Sequence, residues 1–118
     1  MRIFVSYTMR DGVLDAMALS RIERRLAVIG KPYIDLLHNN SPDPQQHVMQ
    51  MLRQSAVLCV CLTPASYASE WFQLEVKTAA QQGKPIIELK FMDGDTDSVN
   101  WQTVRRSIFK IGHGQIYQ

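Results

Sequence analysis

Apolar and polar positions along this chain follow two rhythms, a short continuous run and a 3.6-residue stripe, and the two take turns. Residues 3–7, Ile-Phe-Val-Ser-Tyr, are a compact apolar run that predicts a first strand. A longer segment opening at Asp11 or Gly12 places Ala18, Leu19, Ile22, Leu26 and Ile29 at helical spacing, with Arg21, Glu23 and Arg24 mostly outside the stripe. Gly30-Lys31-Pro32 ends it, because Gly suits the left-handed position past a last turn and Pro cannot continue a helix. Residues 33–37 predict a second strand and residues 38–44 a polar loop. That loop runs into a helix start, with Asp43 as the cap, Pro44 at the first position and Gln46 in the capping-box place. Val48, Met51 and Leu52 give this helix its inner face.

The most apolar run is residues 56–62, Ala-Val-Leu-Cys-Val-Cys-Leu. Its shortness and its β-branched and cysteine content predict a strand buried on both faces and central in a parallel sheet. Ser69 then caps a helix whose stripe is Phe72, Val76, Ala79 and Ala80. Trp71 and Glu75 are i, i+4 neighbours placed on the rim of that stripe, at the border of core and solvent. Gly83-Lys84-Pro85 repeats the earlier stop, and residues 85–89 predict a fourth strand. Residues 93–97 superficially resemble a calcium loop, but Ser98 stands where Gly is needed and Val104 where a bidentate Glu is needed, so a solvated acidic loop is expected. Trp101, Val104 and Ile108 suggest a short helix, and residues 111–117 a small edge strand interrupted by Gly112 and Gly114. Strands alternating with helices predict an α/β fold: a flavodoxin-like, three-layer, doubly wound parallel sheet of four to five strands, with residues 1–118 forming a single domain.

Composition narrows the function classes. With 46% hydrophobic and 20% charged residues, 118 residues suffice for one soluble domain with its own core. A net charge of +2 without a basic tract gives no reason to expect nucleic acid. No apolar run approaches the roughly 20 residues of a membrane span, and residues 1–7 are too short for a secretory signal, so a cytoplasmic, membrane-free protein is expected. Cys59 and Cys61 are i, i+2 on one strand and too splayed to bond each other comfortably; two small core residues in a reducing compartment are expected. His38, His47 and His113 lack usable ligand spacing, so no metal is expected. In open α/β sheets ligands bind at the carboxyl ends of the strands. Glu75, one turn into the helix that leaves the third strand, is well placed for chemistry there, although an ordinary helix-flank Glu beside a half-buried Trp explains the pair as well.

These residues resemble a known family. Phe4-Val5-Ser6-Tyr7 resembles the opening box of Toll/interleukin-1 receptor (TIR) domains, Tyr33-Ile34-Asp35 resembles their second strand, and Leu62-Thr63-Pro64 with Tyr67, Ser69, Trp71 and Glu75 resembles their most distinctive segment. Many TIR domains cleave NAD. The resemblance implies that Glu75 is catalytic, that Tyr7, Thr8 and Arg10 line a nucleotide site, that Asp35 ends the second strand at the same crevice, and that Trp71 packs beside the nicotinamide ribose. NAD would be the substrate, with no bound cofactor, and the partners implied are NAD or a related nucleotide and either a second copy or other TIR domains, in innate immune or anti-phage signalling. Each residue also has an ordinary explanation: Tyr7 caps a strand, Arg10 is solvated, Asp35 holds the adjacent loop. The 38–44 loop departs from the family in lacking an acidic-then-Gly pattern, and the chain ends without a full final helix, as a short stand-alone protein or an excised domain would.

Two other functions fit the same sequence. One is a non-enzymatic TIR-like interaction module, with Glu75 incidental and Leu74 directed away from the stripe. The other is a nucleoside deoxyribosyltransferase-like enzyme, in which a Glu forms a covalent ribosyl intermediate. A phospho-receiver domain does not fit, because Thr63-Pro64 stands where its Asp is required.

Overall fold

The computed structural model describes residues 1–91, 99–104 and 106. Two strands, β1 (Arg2–Ser6) and β3 (Val57–Leu62), lie side by side in the middle of a four-stranded parallel sheet of order β2-β1-β3-β4, with β2 at Lys31–Tyr33 and β4 at Ile86–Lys90. Strand periodicity sends Ile3, Val5, Val57, Cys59 and Cys61 to one face and Phe4, Leu58 and Val60 to the other. Both faces are apolar, so both are covered. Helix α1 (Ala16–Leu26) lays Ala18, Leu19, Ile22 and Leu26 on the first, and helices α3 (Pro44–Gln54) and α4 (Glu70–Gln81) lay Val48, Leu52, Phe72 and Ala79 on the second. Cys59 and Cys61 are both 0% exposed and unbonded, as the central position of β3 requires.

The expected doubly wound fold is therefore present. The chain leaves β1 toward β2 and leaves β3 toward β4, in opposite directions, which makes the β1/β3 pair the topological switch point.

Several expected boundaries shift, each for a local reason. Helix α1 starts at Ala16, not at Asp11 or Gly12: Asp15 is the cap, its carboxylate accepting the Ala18 N–H at 2.8 Å, and Gly12 sits at φ 73, outside helical space. Residues 33–37 are not a strand. β2 stops at Tyr33, and Asp35–His38 form one helical turn, α2. Side chains take amides there: the Ile34 N–H donates to His38 Nδ1 at 2.8 Å and the Leu36 N–H to Tyr7 Oη at 2.9 Å. Residues 101–104 and 106 are helical and Val104 packs into the α1-side core, as the spacing of Trp101 and Val104 suggested. Residues 93–97, Ile108 and residues 111–117 lie outside the described residues.

The two Gly-Lys-Pro stops turn out to be different devices. Gly83 takes the left-handed conformation, φ 69, past the end of α4. Gly30 does not; it is needed because a Cβ there would lie 2.5 Å from the Met1 carbonyl oxygen and 3.1 Å from Ile3 Cδ1. Lys84, in the second stop, reaches back to α3. Its ammonium donates to the carbonyls of Leu52 at 2.6 Å, Arg53 at 2.9 Å and Ser55, satisfying the end of that helix. Burial lowers its pKa.

Gly30→Ala should lower stability by about 2 kcal/mol in urea unfolding, the cost of an overpacked site that has to shift backbone. A variant as stable as the parent would mean that the β1–β2 approach is looser than the structure shows.

Candidate functional site

The site grows out of two periodicities that meet. On β1, Ile3 and Val5 face α1, so Phe4 and Ser6 face the α3–α4 side. Ser6 is the last residue of the strand, at the carboxyl edge of the switch point, and is fully buried. On α4, Ser69 caps the first turn by accepting the Phe72 N–H at 3.3 Å, and the inward residues are Phe72, Glu75 and Ala79. Glu75 therefore points into the protein at Ser6, whose hydroxyl donates to Glu75 Oε1 at 2.8 Å.

That corrects the expected place of Glu75 on the helix rim: its residue is 4% exposed. At about 100° per residue, Phe72 and Ala79 define the inward direction, with Glu75 roughly 60° to one side of Phe72 and Ala80 roughly 80° to the other. The helix is rolled toward Glu75, which leaves Ala80 exposed and outside the stripe expected for it. Trp71 falls beyond Glu75 on the outer side and is 38% exposed.

Burial pushes the Glu75 carboxyl up to about 7; the Ser6 hydroxyl pulls it down and the negative charge of Asp35 pushes it further up. Asp35 does not end β2 as expected but opens α2. Its Oδ1 accepts from Tyr33 Oη at 3.1 Å and from Asn39 Nδ2 at 2.6 Å. Tyr7, half-buried, turns its hydroxyl to the Leu36 N–H, and its pKa is pushed up to about 12 by burial, against the Leu36 bond and with the charges of Asp35 and Glu75. Tyr7, Asp35 and Glu75 thus share one electrostatic neighbourhood at the carboxyl ends of β1 and β2.

Thr8 and Arg10 belong to a second arrangement, the joint between the loop after β1 and the loop after β3. Thr8 is buried, and its hydroxyl accepts the Arg10 N–H at 3.4 Å. The Arg10 guanidinium donates to the Ala68 carbonyl at 3.1 Å. Asp11 completes the joint, its Oδ2 accepting the Ala65 N–H at 2.7 Å and its Oδ1 the Val13 N–H at 3.2 Å. Desolvation would raise the Asp11 carboxyl, but the Ala65 and Val13 amides and the Thr63 hydroxyl together hold it below its ordinary range. Sequence reasoning missed Asp11 by treating it as a helix opener, and missed Ser6 as the partner of Glu75, although strand alternation from Phe4 puts Ser6 on the α4 side.

A family model for the TIR domain matches residues 3–110 of the 118-residue chain. The chain belongs to the TIR domain family. No curated protein matches it. No described helix is long and apolar enough to cross a membrane.

In this TIR domain the chemistry available at the switch point is that of a carboxyl group poised between its charged and neutral forms. Ionised, Glu75 offers negative charge in a low-dielectric setting; protonated, it offers an acidic hydrogen. Two cavities, of about 440 Å³ against the β2 edge and about 530 Å³ between α4 and β4, are lined without Glu75.

The raised carboxyl has a thermodynamic signature. Between the ordinary value of 4.5 and about 7 the folded protein keeps a proton that the unfolded chain has lost. Stability contributed by Glu75 is therefore fullest below that ordinary value and declines as pH rises through the window, by about 3 kcal/mol in all. Glu75→Gln removes the titration. In paired unfolding curves the variant should gain on the parent by that margin between acid and pH 8; a constant difference between the two would mean that Glu75 ionises as it does in water.

Proposed function

We propose that this TIR domain cleaves the bond between nicotinamide and ribose in NAD, with Glu75 as the catalytic carboxylate. What carries the proposal is the buried Glu75 carboxyl held by Ser6 at the switch point, where an open α/β sheet binds its ligand. Nicotinamide in NAD is already cationic, so the C–N bond can break with its electron pair going to the departing ring, and no acid is needed to protonate it. The ribosyl carbon left behind is oxocarbenium-like. An ionised Glu75 stabilises that charge and then takes the proton of the water that attacks it, giving ADP-ribose; attack by an internal nucleophile would give a cyclic product instead. The cationic substrate itself favours the ionised carboxyl, drawing its pKa down on binding.

The remaining residues have supporting roles in this proposal. Tyr7, neutral across the working range, and Asp35 supply hydrogen-bonding groups for the nucleotide. Thr8 and Arg10 set the loop that covers it, and Trp71 offers an aromatic face one turn before Glu75. A carboxylate 4% exposed must be uncovered for substrate to reach it, and the Arg10–Ala68 and Asp11–Ala65 bonds, both at the surface, are the ties that would open.

One observation favours a second reading, an interaction module acting by self-association or by binding other TIR domains. Tyr67, Trp71 and Leu74 are 65%, 38% and 42% exposed, an unusual apolar content for an outer helix face and its approach. The two readings are compatible if assembly shapes the loops over Glu75.

Incubation with NAD, with product identification, tests the proposal. Glu75→Gln should slow cleavage by about two to three decades, a barrier increase of roughly 3–4 kcal/mol, with NAD affinity changed far less. In the parent, kcat/KM should rise with pH through about 7, because the free protein must lose the Glu75 proton to become active. A folded Glu75→Gln variant with parental turnover would take Glu75 out of the reaction, and NAD left intact at high protein concentration would favour the interaction module.

A further inference from the structure

The cavity of about 440 Å³ on the outer side of β2 has a makeup of its own. It extends from the amino-terminal starts of β1 and β2, where Arg2 and Lys31 stand, whereas the Glu75 crevice opens at the carboxyl ends. Its volume falls within the roughly 300–1,000 Å³ typical of small-molecule sites. Its walls are flat and soft. The Tyr33 ring, stacked on Phe4 at 5.5 Å between centroids, meets the His47 ring edge-on at 5.7 Å, and Pro32 and Met51 fill the surface between the helices and the strand.

The charges around it are unequal. Glu23 is the carboxylate in the lining, and it is already engaged: His38 Nδ1 accepts the Ile34 N–H, so the ring proton sits on Nε2 and is donated to Glu23 Oε2 at 2.6 Å. Arg2 uses Nη1 to reach Gln54 Oε1 at 2.6 Å, which leaves further guanidinium N–H groups for a ligand. Lys31 brings an exposed ammonium on a strand whose backbone N–H is bonded to Met1. Two cations therefore face a cavity whose carboxylate is occupied from within. An anion is attracted to that rim, and an aromatic ring is accommodated by the tyrosine, imidazole, proline and thioether walls.

We propose that this cavity is a second binding site, for a small flat aromatic molecule that carries one anionic group, a carboxylate or a phosphate. The ring lies against Tyr33 and His47, and the anion meets Arg2 and Lys31. The site does not depend on NAD cleavage, since its walls exclude Glu75 and Ser6. It does share a wall with the nucleotide neighbourhood, because the Tyr33 hydroxyl donates to Asp35 at 3.1 Å.

NMR titration of the full chain with benzoate and with phenyl phosphate tests this, with benzyl alcohol and inorganic phosphate as probes of each half alone. At least one of the two anionic aromatics should shift the His38 and His47 ring protons to saturation, at an affinity at least about tenfold above either control. The arm that binds tighter tells carboxylate from phosphate. Lys31→Glu, at an exposed side chain, should keep the native spectrum and weaken binding about tenfold, as should Arg2→Glu. Absence of saturable shifts at the two histidines, equal binding of inorganic phosphate alone, or affinity unchanged by both charge reversals would overturn the proposal.

Discussion

Everything in this fold follows from β1 and β3 being apolar on both faces. A strand with one polar face can rest against a single layer of helices; these cannot. Ile3, Val5, Cys59 and Cys61 demand a cover on one side and Phe4, Leu58 and Val60 on the other. Right-handed crossovers supply both covers only if the chain reverses its direction of travel across the sheet between β2 and β3. The reversal opens the crevice between the loops after β1 and β3. The location of the site is thus a by-product of the core. Ser6 reaches it because β1 ends there, and Glu75 because α4 is the cover that starts there.

Against that background a carboxyl on the core face of α4 is a conflict between local and global preference. Phe72 and Ala79 contribute to burial at their positions; Glu75, between them, costs stability whenever it is ionised, and its one described hydrogen-bond donor is the Ser6 hydroxyl. A Leu or Met in that place would suit the packing better. Conflicts of this kind concentrate at functional sites, where a perturbed titration is the purpose and not the defect. The surroundings fit that interpretation: Asp35, a further acid, adds to the upward shift and does not relieve it.

The strands and helices with strong patterns were legible from sequence. The run 56–62, the caps at Asp43 and Ser69, and the β1 and β4 runs all lie within a residue or two of the observed elements. What escaped is short or three-dimensional. β2 has three residues, too few for periodicity to register, and the turn at Asp35–His38 depends on the Tyr7 side chain, which no short window of sequence joins to it. Glu75 was identified as a residue but misplaced as to burial. A stripe drawn through Phe72, Val76 and Ala80 rolls the helix one way, and packing on Phe4 and Leu58 rolls it the other, by an angle that composition does not encode. The same limit hid Gly30, whose role is a close approach to Met1 far away in the chain, and not a conformation.

Helix α2 is only four residues long. Four residues cannot hold a helical turn in water, because nucleation fixes several dihedrals for a single internal bond. α2 exists because its surroundings hold it: Tyr7 takes the Leu36 amide, His38 takes the Ile34 amide while Glu23 fixes the other edge of the ring, and Asn39 closes on Asp35. These ties come from the loop after β1, from α1, from α2 itself and from the loop that follows it. The position of Asp35 is consequently a sum over all of them. A change at Glu23 on α1 would remove the support of the His38 ring, loosening the turn and with it Asp35, whose negative charge acts on the Glu75 proton. The electrostatics of the crevice are in this sense assembled from both faces of the sheet, which is why they were beyond reach until the sheet was in view.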